Sequence, residues 1–258
     1  MSPLIIGGLK LNRSVFKFGG SSVSDFKKIK NIAEMLKTRI EDGEELIVVV
    51  SAMGKTTDQL MNNVSSLTPT PKDQELALLL TTGEQQTVSY LSMVLNDIGV
   101  NAKAMTGYQA GIKTVGHHLK SKIAEINPNI FNEAFKNHDI LVVAGFQGIN
   151  EDFELTTLGR GGSDTTAVAL AASNQTPCEI YTDVDGVYAT DPRILNEAKR
   201  LEYVSYEEMM EMSALGAGVL ETRSVELAKN YDIPLYLGRT LSNVKGTWIM
   251  SKSDLLEK

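Results

Sequence analysis

The sequence has 258 residues, of which 42% are hydrophobic and 22% are charged, as is typical of one large α/β domain or of two lobes sharing a core. Its net charge of -7 argues against nucleic acid as a partner, because the basic surface of nucleic-acid-binding proteins is missing. The only cysteine, Cys178, excludes an internal disulfide and a cysteine metal cage, which favours a cytoplasmic location. The N-terminal apolar run at residues 4–6 is too short for a signal peptide or a membrane span, so no membrane association is expected.

Beyond an extension at residues 1–13, which has no assigned role, apolar β-branched runs alternate with amphipathic stretches. In chain order, the predicted elements are strand 15–18, helix 25–38, strand 46–50, helix 60–66, helices 73–81 and 85–98 separated by a break at 82–84, strands 103–106 and 111–114, helix 129–137, strand 140–144, helix 165–173, strand 179–182, helices 205–215 and 220–230, strands 234–237 and 247–250, and a polar tail at 251–258. This alternation predicts an α/β fold, a three-layer α/β/α sandwich with a mostly parallel central sheet.

The stretch at residues 156–165, TTLGRGGSDT, combines a permissive backbone with polar chemistry. Its three glycines allow sharp turns and a close approach to a ligand, and consecutive N–H groups in such a turn form an anion site. Arg160 adds a planar cation suited to a carboxylate or phosphate. Ser163 is predicted to be the N-cap of the helix that follows, beside Asp164. The alternative is a glycine-rich loop with a capped helix and no ligand.

Other small or polar loops also follow predicted strands, at residues 19–22, 51–58, 145–148 and 182–193. In a doubly wound sheet such loops can converge on one edge. Lys17, Arg160 and Arg193 are the cations that an acidic protein would gather there for an anionic ligand. This inventory favours phosphoryl transfer, which depends on positioning and charge neutralisation.

Two apparent motifs are rejected. Residues 54–56 read GKT after a strand, but a P-loop also needs a glycine five residues before Gly54, where Val49 stands. His117 and His118 are interpreted as surface residues rather than a metal site, because no partner ligands accompany them. The histidines lie away from the glycine loops, so a Ser/His/Asp triad is not supported either.

Seven motifs follow one another along the chain: KFGGSS (17–22), SAMGKTTD (51–58), TTGE (81–84), GFQG (145–148), TTLGRGGSDTTA (156–167), YTDVDGVYATDPR (181–193) and GAGVLETRSVELA (216–228). In this order they resemble the aspartate kinases, a branch of the amino acid kinase family. Each motif alone is a weak signal, whereas the whole series, within residues 15–250, is highly specific.

The resemblance implies a kinase that transfers the γ-phosphate of ATP to the β-carboxylate of L-aspartate, the first step of an amino-acid biosynthetic pathway. It implies ATP with Mg²⁺ held mainly through phosphates and water, and no metal site of the protein itself. It also implies an N-terminal lobe at residues 1–176 for the amino acid and the phosphates, a C-terminal lobe at residues 177–258 for the nucleotide, and pairing of two copies as a homodimer. A carboxylic acid with a pKa of about 4 is already ionised at neutral pH, so no general base is required.

Residue roles carry over by position. Lys17 and Asp164 would be catalytic, with Asp164 organising Lys17. ATP would be bound by Lys17, Phe18, Gly19, Gly20, Ser21, Thr182, Asp183, Tyr188, Arg193, Gly218 and Val219. Aspartate would be bound by Ser51, Thr57, Glu84, Arg160 and Ser163. Of these, Glu84 would receive the α-ammonium group and Arg160 would hold a carboxylate.

The chain departs from the family pattern in several places. Many members have HPR where this chain has Glu221, Thr222 and Arg223, and many have lysine where Gly218 stands. Residues 236–240 differ from the more usual arginine-serine-serine ending. These departures concern the details of nucleotide binding. The ACT domains of longer members are not expected here, which predicts insensitivity to lysine and threonine.

Two alternatives stay open. One is a sister kinase that acts on glutamate, acetylglutamate, carbamate or a nucleotide, although Thr57, Glu84 and Arg160 favour a zwitterionic amino acid. The other is a non-catalytic, nucleotide-binding or regulatory subunit, against which the intact Lys17 and Asp164 argue.

Overall fold

The computed structural model describes residues 5–6, 9–10, 13–195 and 197–256, so most of the extension at residues 1–13 lies outside the described residues. The strands are β1 (Ile5–Ile6), β2 (Leu9–Lys10), β3 (Arg13–Phe18), β4 (Glu45–Val50), β5 (Ala102–Met105), β6 (Ile112–Val115), β7 (Lys122–Ile126), β8 (Ile140–Ala144), β9 (Gln147–Ile149), β10 (Leu155–Thr157), β11 (Cys178–Thr182), β12 (Tyr203–Ser205), β13 (Leu235–Arg239) and β14 (Thr247–Met250). The helices are α1 (Phe26–Glu41), α2 (Thr56–Leu67), α3 (Asp73–Asp97), α4 (Asn129–Phe135), α5 (Gly162–Asn174), α6 (Tyr206–Ala214), α7 (Thr222–Asn230) and α8 (Lys252–Leu256). Within the described ranges, none of these helices combines the length and the apolar character needed to cross a membrane.

An eight-stranded sheet forms the centre of the fold, in the order β12-β14-β13-β11-β3-β4-β8-β5. Neighbouring strands run parallel, except for the antiparallel pair of β13 and β14. Parallel neighbours need crossover connections, which the intervening helices supply. Strand β3 lies between β4 and β11, so that the loops following these three strands meet at one edge.

Helices cover both faces of this sheet. On one face, α1 and α3 pack against a cluster that includes Phe16, Val48 and Val142. On the other face, α4, α5, α6 and α7 pack against a cluster that includes Val15 and Ile47. Strands covered on both faces are apolar along nearly their whole length, as residues 46–50 of β4 and all of β8 show. The predicted three-layer α/β/α sandwich is confirmed.

The boundary placed between residues 176 and 177 falls in the turn between α5 and β11. The sheet continues across it, because β11 pairs with β3 on one side and with β13 on the other. The core also continues, since Val15, Val168 and Leu235 belong to one buried cluster. The division into two lobes therefore stays a prediction.

The break predicted at residues 82–84 is wrong, because α3 runs without interruption from Asp73 to Asp97. Gly83 is a poor helix former, at a cost of about 1 kcal/mol relative to alanine. A Cβ at this position would lie only 2.8 Å from the Cβ of Ala52. Glycine is therefore required for the close approach of α3 to the loop after β4, and not for a turn.

Serines lie at the starts of both α6 and α5, but only one of them is an N-cap. Ser205 caps α6 in a capping box: its Oγ accepts a hydrogen bond from the Glu208 N–H at 3.2 Å, and Glu208 Oε2 accepts one from the Ser205 N–H at 2.8 Å. The prediction for Ser163 is wrong, because it lies within the first turn of α5 and Gly161 is the N-cap. Gly161 has a φ of 66°, which glycine adopts without strain.

A second, four-stranded sheet has the order β10-β9-β6-β7. The sequence indicated only β6 among these strands; β9 and β10 have three residues each and β7 is largely exposed, so none gives a strong apolar pattern. A buried hydrogen bond of 2.6 Å between the hydroxyl groups of Thr114 and Thr156 joins β6 to β10. This sheet carries β10 into the glycine loop of residues 158–162.

Candidate active site

A cavity of about 640 Å³ opens at the carboxyl ends of β3 and β4, beside the first turn of α5. Eight residues singled out in the sequence line it: Lys17, Gly20, Ser51, Thr57, Glu84, Arg160, Ser163 and Asp164. They come from four separate stretches of the chain that the parallel sheet brings to one edge, where open α/β sheets bind ligands. All five residues predicted to bind the amino acid are among them.

Lys17 and Asp164 form an ion pair inside this cavity. Lys17 Nζ lies 2.6 Å from Asp164 Oδ1, although the angle of this contact is not that of a hydrogen bond. The two side chains are only 10% and 15% exposed. Charges removed from water in this way depend on each other, since the loss of one leaves the other buried and unpaired. The pair joins the end of β3 to the start of α5 and places a cation at the sheet edge.

Glu84 presents a buried carboxylate to the same cavity from the middle of α3. Glu84 is only 3% exposed, and its Oε1 accepts a hydrogen bond from the Ala52 N–H at 3.1 Å. Oε2 is buried and has no hydrogen-bond partner among the described residues. Burial raises the pKa of Glu84 to about 7 from an ordinary value of 4.5. An unpartnered carboxylate oxygen in such a place suits a ligand that brings its own positive charge.

The glycine loop carries Arg160 to the rim of the cavity. Gly159 and Gly161 have φ values of 74° and 66°, so the chain turns on both sides of Arg160. The Arg160 side chain is exposed, and within the described part of the chain its guanidinium makes no ion pair or hydrogen bond. After the loop, the first turn of α5 packs closely on the chain that follows β8, because a Cβ at Gly145 would lie 2.8 Å from Ser163 Oγ. Among the described residues, Arg160 is thus a cation without a partner, between two glycines of positive φ.

The loop after β3 contributes main-chain groups rather than side chains. Phe18 is fully buried and stacks on Tyr181 with ring centroids 5.4 Å apart, so it can reach a ligand only through its backbone. The Gly19 N–H donates to the Tyr181 carbonyl at 3.2 Å. The N–H groups of Gly20 and Ser21 make no hydrogen bond to other described residues, which leaves them suited to an anion.

The positions predicted to bind the rest of the nucleotide do not line this cavity. Thr182 lies at the end of β11, where its carbonyl accepts from the Thr240 N–H at 2.9 Å, and the Thr240 hydroxyl lies 2.6 Å from that of Ser22. This strand end is therefore joined to the loop after β3. Asp183 follows and accepts from the Thr182 hydroxyl at 3.0 Å.

The remaining predicted nucleotide residues lie further along the same edge. The backbone of Tyr188 pairs with that of Arg200 in an isolated antiparallel β-bridge. The Arg193 side chain is 89% exposed and forms an ion pair with Asp191 at 2.7 Å. Gly218 is exposed, a Cβ there would meet nothing within 4 Å, and Val219 is half-buried. The structure leaves their role as a prediction.

Some cavity residues were missed by sequence reasoning. Met61, Leu76, Leu80, Leu119 and Phe146 form an apolar wall. The sequence did mark the position of Phe146, since this residue lies in the GFQG loop after β8. In the structure, its φ of 70° is rare for a bulky residue. The others come from helices and from the β6–β7 connection, which have no glycine or charge pattern to mark them.

The adjacent histidines bind carboxylates of their own chain. His117 Nε2 lies 2.8 Å from Asp73 and His118 Nε2 lies 2.6 Å from Glu154. Across the described ranges, no group of three or more His, Cys, Asp or Glu side chains is placed to hold a metal ion.

Comparison with known proteins gives the family. The model of the amino acid kinase family matches residues 12–239. The chain belongs to the amino acid kinase family. Aspartokinase 2 of Bacillus subtilis is 48% identical over 242 residues, which cover 93% of this amino acid kinase and 59% of the relative. The chain therefore spans about three fifths of the length of this curated relative.

Solved structures agree with this assignment of the family. The aspartate kinase of Synechocystis superposes with a TM-score of 0.81 at 42% identity, covering 92% of this chain and 40% of that one. E. coli aspartokinase III, solved in complex with aspartate and ADP, superposes with a TM-score of 0.77 at 25% identity, covering 93% of this chain and 64% of that one.

Proposed function

We propose that this amino acid kinase transfers the γ-phosphate of ATP to the β-carboxylate of L-aspartate, giving 4-phospho-L-aspartate and ADP. The observation that carries the proposal is the unpartnered Glu84 Oε2 in one cavity with the Arg160 guanidinium and the Lys17 ammonium group. These three charges complement the ammonium group and the two carboxylates of an amino dicarboxylic acid. A similar protein, E. coli aspartokinase III, has been solved with aspartate and ADP bound.

In the proposed reaction, a β-carboxylate oxygen forms a bond to the γ-phosphorus while the bond from that phosphorus to the β,γ-bridging oxygen breaks. The acceptor is ionised at neutral pH, so no proton has to be removed. The difficulty is the repulsion between two anions, and Lys17 Nζ is the buried cation that would offset it. Asp164 holds Lys17 in place. Glu84 and Arg160 would fix the substrate through groups that do not react, which orients the β-carboxylate.

The N–H groups of Gly20 and Ser21 would bind phosphate oxygens, and the strand end at Thr182 would approach the rest of the nucleotide. Mg²⁺ is usually retained through substrate phosphates, water and one or two carboxylates, and it neutralises phosphate charge. We propose that it is held mainly by phosphates and water in this case. A cytoplasmic location and a homodimer also remain predictions.

The test is ADP formation by the purified chain with MgATP and a panel of aspartate, glutamate, acetylglutamate and UMP. Turnover that depends on aspartate is the expected result. Turnover with another member of the panel, and none with aspartate, would make this a sister kinase. ATP binding measured by calorimetry, without turnover on any acceptor, would favour a non-catalytic subunit.

A further inference from the structure

Arg223, the second residue of α7, reaches across to the glycine loop. Its Nη2 donates to the Leu158 carbonyl at 2.7 Å and lies 3.4 Å from the Arg160 carbonyl, a weaker contact. Both acceptors are main-chain atoms on either side of the turn that presents Arg160. Arg223 belongs to the last of the seven sequence motifs, and none of the proposed steps uses it.

A second contact comes from the same end of α7. Glu221, the N-cap of α7, lies against Gly161, where a Cβ would stand 2.6 Å from the Cβ and Cγ of Glu221. The start of α7 therefore contacts the loop at two points. Arg223 Nε is buried without a hydrogen-bond partner among the described residues, and Nη2 makes the hydrogen bonds of this guanidinium to the loop.

The loop needs support of this kind. Glycine has more conformational freedom than any other residue, and a run with three of them orders only at an entropic cost. Within residues 158–160, the main-chain hydrogen bonds are from the Gly162 N–H to the Gly159 carbonyl at 3.0 Å and from the Leu158 N–H to the Phe146 carbonyl at 2.9 Å. The Gly161 carbonyl accepts from the Thr165 N–H at 3.0 Å, which ties the end of the loop to α5. The Arg160 side chain has no described partner to hold it, so the loop backbone fixes only the point from which this side chain starts.

We propose that Arg223 is a positioning residue: it fixes the glycine loop from outside the cavity so that Arg160 faces the bound amino acid. The inference rests on the proposed function for its effect on the substrate. The effect of Arg223 on the loop does not depend on the proposed function, and the two effects can be measured separately.

The kinetic test is a double-mutant cycle of Arg223→Ala and Arg160→Ala, read as kcat/KM for aspartate, which stays measurable when KM is out of reach. Arg223→Ala alone should lower kcat/KM by about tenfold or more, the scale of one charge-assisted hydrogen bond, and should leave KM for ATP nearly unchanged. In the Arg160→Ala background, the same change should cost about twofold or less. A full tenfold loss in that background would overturn the proposal, because Arg223 would then act independently of Arg160.

The loop itself is tested by hydrogen exchange of a peptide spanning residues 156–165 in the full chain. Arg223→Ala should exchange faster there than the wild type, and unchanged exchange would overturn the proposal. This readout needs no substrate, so an inactive wild type would remove the proposed function while the exchange data still decide the role of Arg223.

Arg13 offers a matched control. It is also a partly buried arginine, with hydrogen bonds to Asn132 and Asn174 and an ion pair with Glu45 at 2.6 Å, but it lies at the opposite end of β3 from the cavity. Arg13→Ala should lose stability without changing either kcat/KM for aspartate or exchange at residues 156–165.

If Arg223→Ala does not fold, Arg223→Lys retains the charge without the planar donor group. This variant should then show a smaller loss of kcat/KM for aspartate and a smaller increase of exchange at residues 156–165. Wild-type values of both would overturn the proposal.

Discussion

Replacing Glu84 with glutamine tests whether its buried carboxylate costs stability until a ligand arrives. Burial raises the pKa of Glu84 to about 7 from 4.5. The folded chain therefore holds this proton more tightly than the unfolded chain does. The free energy of unfolding must then decrease as the pH rises from about 4.5 through about 7. Glutamine keeps an acceptor for the Ala52 N–H and cannot ionise, so the variant should lose this pH dependence.

The magnitude follows from the difference between the two pKa values, which corresponds to about 3 kcal/mol once Glu84 is fully ionised. Between pH 5 and pH 8, this group should lower the stability of the wild type by about 2.5 kcal/mol. An ammonium group bound at Oε2 favours the ionised form. The apparent KM for aspartate should therefore fall about tenfold between pH 6 and pH 8 in the wild type, as the ionised fraction of Glu84 rises.

The assay is urea unfolding of the wild type and Glu84→Gln at several pH values from 5 to 8, together with KM for aspartate from pH 6 to pH 8. Glu75→Gln is the matched control, because Glu75 is exposed on the same helix. It should follow the wild-type pH curve. If the unfolding free energies of the wild type and Glu84→Gln stay parallel across this range, Glu84 does not have the raised pKa on which the reasoning depends.

Three further substitutions test separate parts of the site. Lys17→Ala should lower kcat by ~10²-fold or more in steady-state ADP formation, the scale of a lost oxyanion donor, and near-normal turnover would exclude Lys17 from the mechanism. Arg160→Lys should mainly raise KM for aspartate because the bidentate fork is lost; an unchanged KM would mean that Arg160 does not hold the substrate. Gly83→Ala should lower the unfolding free energy by about 1–3 kcal/mol in urea titrations, because its Cβ would lie 2.8 Å from that of Ala52. A gain of about 1 kcal/mol, as expected in an ordinary helix interior, would show that this close contact relaxes freely.

The central sheet could be predicted from the sequence because its strands are covered on both faces. Strands β4 and β8 are continuous apolar runs of the kind that such burial requires. The place of Lys17 at the edge of the central sheet followed from the same pattern, whereas Glu84 enters the cavity from the middle of α3 and Arg160 from the loop after β10. Family resemblance added the expected roles of these residues.

What could not be predicted depends on contacts between distant residues. Gly83 read as a helix breaker because local propensity disfavours it, whereas its reason is the approach of Ala52. Ser163 has the side chain of an N-cap, yet the N-cap is Gly161, two residues earlier in the chain. Arg223 carried no signal of its position, because its partners are carbonyl groups and every residue has one.

The central place of β3 determines when the site can exist during synthesis. β3 carries Lys17, yet one of its neighbours is β11, and the Ser22 hydroxyl bonds to Thr240, 218 residues later. At about 5–20 residues per second, a ribosome needs roughly 10–45 s to make the intervening chain. Until β11 has been made, β3 has an unpaired backbone edge, which is an aggregation hazard. A chain cut short before β11 would therefore keep this edge of β3 unpaired, and we expect such products to depend on chaperones or to be degraded.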